Sequence, residues 1–239
     1  MKIIFLHGFP DNPEVWRYCV EFVADRAVCR TPELHSLSFE NQIGRVHEMT
    51  DDGVPVVLVA HDMGGPVAIE YASRYPERVA KVILVNTMGL DMFVRRLSGL
   101  QQILKSSYMG LFVNPFVNTT TLRPFAKRLL NFVYDRGGLP AHDRLRTNDY
   151  QVLDGLARYK ELTLAAPKKY LEPITALSQP THIIFGKNDP FLLVPSDDEM
   201  KTFFHEAQLH KISGGHWPMR THRDQFHAVL EKILFKATP

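Results

Sequence analysis

Asp62 is the side chain whose neighbours best equip it as a nucleophile. It sits in Val57-Leu58-Val59-Ala60-His61-Asp62-Met63-Gly64-Gly65-Pro66, an apolar run that enters a turn of small residues and leaves it as a helix. A turn of that kind thrusts its central side chain out above the carboxyl edge of a sheet, and neighbours as small as Ala60 and Gly64 permit the bend. A carboxylate needs no base to activate it, because a reference pKa of about 3.9 leaves it ionised at pH 7. The helix that follows aims its first amides and the positive end of its dipole at the same spot. In the competing reading Asp62 is a plain helix cap, which leaves the preceding strand and the paired glycines without a purpose.

Two more residues fall where such a nucleophile needs help. The apolar run from Thr181 to Phe185 ends in Gly186-Lys187-Asn188-Asp189-Pro190, and that from Leu209 to Ile212 ends in Ser213-Gly214-Gly215-His216-Trp217-Pro218. As strands of one parallel sheet, their carboxyl ends share an edge with Asp62, so residues scattered in sequence converge. The order is nucleophile, acid, base: Asp189 holds the imidazole tautomer and His216 draws a proton from water. His7-Gly8-Phe9-Pro10 follows the first apolar run, and its glycine lets the backbone approach a developing oxyanion. The backbone amides of Phe9 and Met63 are the expected donors to it.

Other chemistry finds less support. His205 with His210 and His222 with His227 are spaced i, i+5, which does not share a helix face, and no cysteine or carboxylate completes a ligand set by spacing. Neither G-x-G-x-x-G nor G-x-x-x-x-G-K-[ST] occurs, so no dinucleotide or nucleoside triphosphate is indicated. We therefore expect no metal and no cofactor.

The elements that must carry these residues are legible as alternating short apolar runs and longer segments of helical period, the pattern of an α/β protein. Strands are expected over Ile3 to Leu6, Ala27 to Arg30, Val54 to Ala60, Val79 to Val85, Thr181 to Phe185 and Leu209 to Ile212, several too continuously apolar to have a wet face. Asn12 and Pro13 cap a helix with Trp16, Cys19, Val20 and Val23 on one stripe. A second helix opens at Gly64 and stops before Pro76, and a last one buries Phe226, Val229, Leu230, Ile233 and Leu234. From Met88 to Gln179 the alternation breaks, and Leu97 to Met109, Leu122 to Tyr134 and Asp143 to Leu164 all read as helical. The expected division is a core over 1–87 and 180–239 with a helical insertion over 88–179. With 239 residues, of which 45% are hydrophobic, the chain can bury a core without disulfide or metal. Lys+Arg 28 against Asp+Glu 26 gives a formal +2, too weak a field to point to nucleic acid or an anionic membrane. Cys19 and Cys29 are the only cysteines and fit a reducing compartment. The opening Met1 to Leu6 is too short for a signal peptide or a membrane span, so a cytoplasmic protein is expected.

Taken together, the strand, elbow, acid and base resemble the α/β-hydrolase fold, with the insertion in the place of a cap. Within that superfamily His-Asp-x-Gly resembles the epoxide hydrolases and haloalkane dehalogenases, and His-Gly-Phe-Pro with His-Asp-Met-Gly-Gly is most similar to the epoxide hydrolases. The resemblance implies a mostly parallel sheet of about six strands flanked by helices; the family's initial hairpin is expected to be missing, a departure from that pattern. It implies that Asp62 attacks an epoxide carbon to form an alkyl ester, which water activated by His216 and Asp189 then hydrolyses, with the oxyanion on the Phe9 and Met63 amides. It further implies cap tyrosines that protonate the leaving oxygen, for which Tyr108 and Tyr159 hold the most similar positions.

Departures from the family pattern bound this reading. Dehalogenases hold halide with a Trp after the nucleophile and an Asn in the first loop, where this chain has Met63 and Phe9. Fluoroacetate dehalogenases place arginines after the nucleophile, where it has Met63 and Pro66. The expectation is a cofactor-independent hydrolase acting on a small apolar epoxide with water. Its rivals are a haloalkane dehalogenase using the same three residues, an esterase frame with Asp at the usual Ser position and little or no activity, and a non-catalytic ligand-binding member of the fold.

Overall fold

Four apolar runs, too water-averse to sit at an edge, form the middle of a single sheet. The computed structural model describes residues 1–89, 119–144, 153–154, 177–196, 198 and 207–236. Its strands are β1 (Lys2–Leu6), β2 (Val28–Arg30), β3 (Val56–His61), β4 (Val79–Val85), β5 (Thr181–Gly186) and β6 (Gln208–Ile212). They lie in the order β2-β1-β3-β4-β5-β6, and each neighbouring pair is parallel. Every residue of β3 and β5 is buried, as the unbroken apolar runs require. The edge strands β2 and β6 are mostly not. This six-stranded parallel sheet is the arrangement that the resemblance implies. The run expected to start at Val54 starts at Val56 instead, because Pro55 has no amide hydrogen to give the ladder.

The connecting segments are helical. Asn12 caps the first by accepting the Glu14 amide, and a 3-10 turn, Pro13–Trp16, runs into α1 (Arg17–Val23). Trp16, Cys19 and Val23 are buried from the expected stripe, with Trp16 and Phe5 rings 5.2 Å apart. α2 (Phe39–Glu48) adds a helix to the expected elements: Ser38 caps it by accepting the Asn41 amide, and Phe39, Ile43 and Val46 form its buried stripe. α3 (Gly64–Arg74) follows β3 and packs on β1, β3 and β4, with α2 against its outer side. Near the carboxyl terminus α5 (Pro218–Thr221) and α6 (Arg223–Phe235) pack with α1, and α6 also meets β6. Phe226, Leu230 and Ile233 of α6 are buried, while Val229 and Leu234 are only partly so. Among the described residues no helix is long and apolar enough to cross a membrane.

Within 88–179, the described part holds α4 (Thr119–Arg136), which extends the helix expected over Leu122 to Tyr134 at both ends. The helix expected from Asp143 does not begin there: Ala141–Asp143 is a short 3-10 turn and Arg144 is extended, at φ −66 and ψ 137. Leu97 to Met109 lies outside the described residues, as do Tyr108 and Tyr159. α4 is fastened to the core through Tyr134, whose ring centroid is 5.3 Å from that of Trp217. Arg220 adds a second tie, donating to the main-chain oxygen of Asp143 at 2.9 Å.

The register fixes the functional edge. Leu6 is level with Ala60, His61 with Val85, Val85 with Ile184, and Gly186 with Ile212, so the loops after β1, β3, β4, β5 and β6 leave one side of the sheet. Crowding there demands glycine: a Cβ on Gly64 would stand 2.7 Å from the Leu6 carbonyl oxygen, whereas one on Gly44, inside α2, meets nothing within 4 Å. Gly64→Ala is therefore expected to cost about 1–3 kcal/mol. Gly44→Ala should gain about 0.5–1 kcal/mol, since an exposed helix interior favours alanine. Urea unfolding of the two variants checks both signs.

Candidate active site

Asp62 stands at the top of a strained turn. Its φ is +47°, in the left-handed region where a side chain costs roughly 1–2 kcal/mol. The turn closes with the Gly65 amide donating to the Asp62 carbonyl at 2.9 Å, and the Thr87 hydroxyl donates to that same carbonyl. The side chain is thereby aimed into the molecule, where Asp62 is only 3% exposed. Its Oδ1 accepts the Phe9 amide at 3.0 Å. Gly8 faces the same small space: a Cβ there would lie 2.5 Å from Asp62 Oδ1 and 2.6 Å from the Met63 nitrogen. Phe9, Met63 and one carboxylate oxygen are thus gathered around the point where only a glycine fits.

The second oxygen faces the base. His216 Nε2 lies 3.5 Å from Asp62 Oδ2, and His216 Nδ1 lies 2.8 Å from Asp189 Oδ2. Asp189 is a heavily bound carboxylate. Its Oδ1 accepts the amides of Phe191 and Leu192 at 2.8 and 3.1 Å, and its Oδ2 also accepts from Asn86 Nδ2 at 2.6 Å. Asn86 sits at the end of β4 with φ +44°, and its Oδ1 accepts the Gly186 amide at 3.2 Å. It is a site residue to which the sequence reading gave no role, although an Asn directly after a buried strand is a signal for the left-handed turn it makes. Phe191 and Trp217 stand edge-on to the imidazole, with ring centroids at 5.1 and 4.9 Å.

Burial alone pulls the His216 imidazolium down, but Asp189 and then Asp62 outweigh it and raise its pKa from 6.5 to about 10. Burial pushes Asp189 up, yet the His216 charge, with bonds from His216, Asn86 and Phe191, holds it below the usual carboxylate range. An imidazolium between two carboxylates is the resting arrangement. One carboxylate oxygen thus rests on an amide, and the other faces a histidine in reach to deliver or take a proton.

Among the described residues, one group elsewhere brings metal-ligating side chains together. The ligand atoms of His7, Glu33 and His35 lie within 4.8 Å of one another, so a carboxylate does join two histidines in space, which reasoning from helix spacing missed. Backbone amides already bond two of those groups, His7 and Glu33. Leu34 donates to His7 Nε2 at 3.1 Å and, with His35, to Glu33 Oε1 at 3.0 and 3.1 Å. The group works as a latch between the loops after β1 and β2.

Comparison with known proteins gives a consistent picture. A family model for the alpha/beta hydrolase fold matches residues 2–222. The chain is 23% identical to Epoxide hydrolase 1 of Caenorhabditis elegans over 98% of its own length and 65% of that protein. It is 27% identical to Monoacylglycerol lipase ABHD6 of Bos taurus over 90% of its length and 69% of that protein. It thus spans about two thirds of the length of these curated relatives. A crystal structure of Bacillus megaterium epoxide hydrolase with an inhibitor superposes with a TM-score of 0.71, at 20% identity, covering 98% of this chain and 93% of that one.

The raised His216 pKa makes stability depend on pH. Folded His216 holds its proton more tightly than the unfolded chain does, so its contribution is full below about 6.5 and is lost as pH rises to about 10. Calorimetry should show a melting temperature that falls across that window, and His216→Gln should flatten the fall. An unchanged profile in the variant would contradict the charge arrangement.

Proposed function

The chain belongs to the alpha/beta hydrolase fold family, and from that premise we propose that it is a cofactor-independent hydrolase that opens a small apolar epoxide through an ester on Asp62. The observation that carries this reading is the division of labour between the oxygens of one carboxylate: Oδ1 is held by the Phe9 amide, and Oδ2 faces His216 Nε2 at 3.5 Å. The epoxide hydrolases among the chain's relatives and structural neighbours support the substrate class.

In the first step Asp62 Oδ2 bonds to an epoxide carbon, the carbon–oxygen bond of the ring breaks, and the released alkoxide takes a proton from an acid. Tyr108 and Tyr159 are the proposed acids, contributed by the helical insertion over 88–179. Forming the ester cancels the Asp62 charge, which removes one of the two carboxylates that keep His216 protonated. The His216 proton then passes through water to the tyrosinate left by ring opening, which restores the acid, and the neutral imidazole becomes able to take a proton from the attacking water. The resulting hydroxide attacks Asp62 Cγ, and the charge that develops on Oδ1 rests on the Phe9 amide, with Met63 as the second donor. Collapse expels the diol and returns Asp62 with one oxygen from water. Throughout, Asp189 stabilises the imidazolium and fixes its ring.

A single turnover in H₂¹⁸O should place label on Asp62, found by mass spectrometry of the peptide that contains it. His216→Ala should trap the ester and slow turnover by about 10²–10⁴-fold, the usual contribution of a general base. Diol formation with no label on Asp62 defeats the reading. Halide release from haloalkanes without any diol from epoxides assigns the same carboxylate to a dehalogenase.

A further inference from the structure

Asp11, His61 and Trp217 close a hydrogen-bonded ring that the reaction steps do not use. The side chains of Asp11 and His61 are both 0% exposed. His61 Nδ1 lies 2.8 Å from Asp11 Oδ2, and His61 Nε2 lies 2.9 Å from the main-chain oxygen of His216. The ring closes through the peptide link to Trp217, whose indole Nε1 donates to Asp11 Oδ1 and Oδ2 at 2.9 and 3.1 Å. A carbonyl oxygen only accepts, so His61 Nε2 carries a proton and donates it, and a second proton lies between Nδ1 and Asp11.

The placement of the three residues gives the ring its meaning. Asp11 belongs to the loop that carries the Phe9 amide, His61 directly precedes Asp62, and Trp217 directly follows His216. One buried ring therefore ties together the loops that supply the oxyanion donor, the nucleophile and the base. Stability alone does not call for it, because well-packed apolar residues of similar volume often serve as well as a buried polar set. Directional hydrogen bonds do what apolar contacts cannot: they fix a main-chain carbonyl, and with it the start of the His216 side chain, to a fraction of an ångström.

We propose that Asp11 and His61 are positioning residues that hold His216 at its working distance from Asp62 by gripping its main chain. This rests on the ester mechanism in one respect: Asp62 attacks the epoxide carbon without a base, whereas hydrolysis of the ester needs His216. Loosening the ring slows the second step and spares the first, so the alkyl-enzyme accumulates. A general loss of structure would depress both steps together.

Two substitutions divide the ring. In His61→Gln the amide nitrogen reaches the place of Nε2 and keeps the bond to the His216 carbonyl, while in His61→Asn the side chain reaches only the place of Nδ1 and loses it. Single turnover of styrene oxide followed by intact-protein mass, together with NMR titration of the His216 ring in the substrate-free protein, reads both consequences. His61→Asn should accumulate ester, with hydrolysis slowed about 10–100-fold relative to alkylation, and the His216 titration should move down from about 10; His61→Gln, which keeps the bond to the carbonyl but loses the one to Asp11, should show both effects more weakly. The same behaviour in both variants, or an unmoved His216 titration in His61→Asn, overturns the proposal. Should His61→Asn fail to fold, Trp217→Phe removes only the indole donor and keeps most of the ring volume. It should move the His216 titration in the same direction, by less, and no movement overturns the proposal equally. If the titrations follow this pattern while no variant, His216→Ala included, carries an adduct, the positioning role stands and the ester mechanism falls.

Discussion

An imidazole wedged between two carboxylates, all three nearly closed off from water, is the interaction on which the rest of this molecule depends. His216 is 3% exposed, and its ring nitrogens lie 3.5 Å from Asp62 and 2.8 Å from Asp189. Opposite charges at that range exchange roughly 4 kcal/mol at an effective dielectric of about 20. Under the proposed mechanism, esterifying Asp62 removes one of the two anions that raise the His216 pKa, and the imidazole moves toward the range where a general base works best. In that mechanism the nucleophile's own reaction switches on the base that releases it.

The parallel sheet exists, functionally, to make that wedge possible. Its strands deliver their carboxyl ends to one edge, and β3, β4 and β5 each hand a polar residue upward: Asp62, Asn86 and Asp189. Two of these, Asp62 and Asn86, sit at positive φ, a conformation that persists only where the surroundings impose it. Packing supplies the imposition. Gly64 runs against the Leu6 carbonyl, Gly65 against Thr87, and Gly8 against Asp62 itself, so the elbow has no relaxed alternative that keeps the strands in register. Asn86 then links two of the loops, because its amide bonds both the Asp189 carboxylate and the Gly186 nitrogen.

Most of this frame is legible in the sequence because it is written in local patterns. Continuous apolar runs mark β1, β3, β4 and β5, Pro13 and Pro76 punctuate helices, and the small residues around Asp62 announce the elbow. α2 was legible as well, since Ser38 followed by Phe39, Ile43 and Val46 is a capped i, i+4, i+7 stripe. What escapes is whatever closes at long range between loops. Glu33 joins His7 and His35 only once β1 and β2 pair, and Asp11 meets the Trp217 indole across a separation of 206 residues. No periodicity encodes such partners, because a loop residue takes its neighbours from the topology and not from its own segment.

The two buried histidines show how one pairing chemistry serves opposite ends. His216 and His61 stand 4.7 Å apart, ring to ring, and each has a carboxylate on its Nδ1 side at 2.8 Å. They differ in what faces Nε2. For His216 it is a second carboxylate, whose charge the proposed reaction cancels, so that in this mechanism its proton affinity changes during turnover. For His61 it is a main-chain carbonyl, which carries no net charge and takes part in no bond change, so that bond keeps its polarity and its direction through the cycle. The proposed mechanism calls for a fixed histidine beside a variable one, because its base must shed and regain a proton without drifting from the carbonyl carbon it serves. A hydrogen bond to an uncharged main-chain oxygen is the anchor suited to that task.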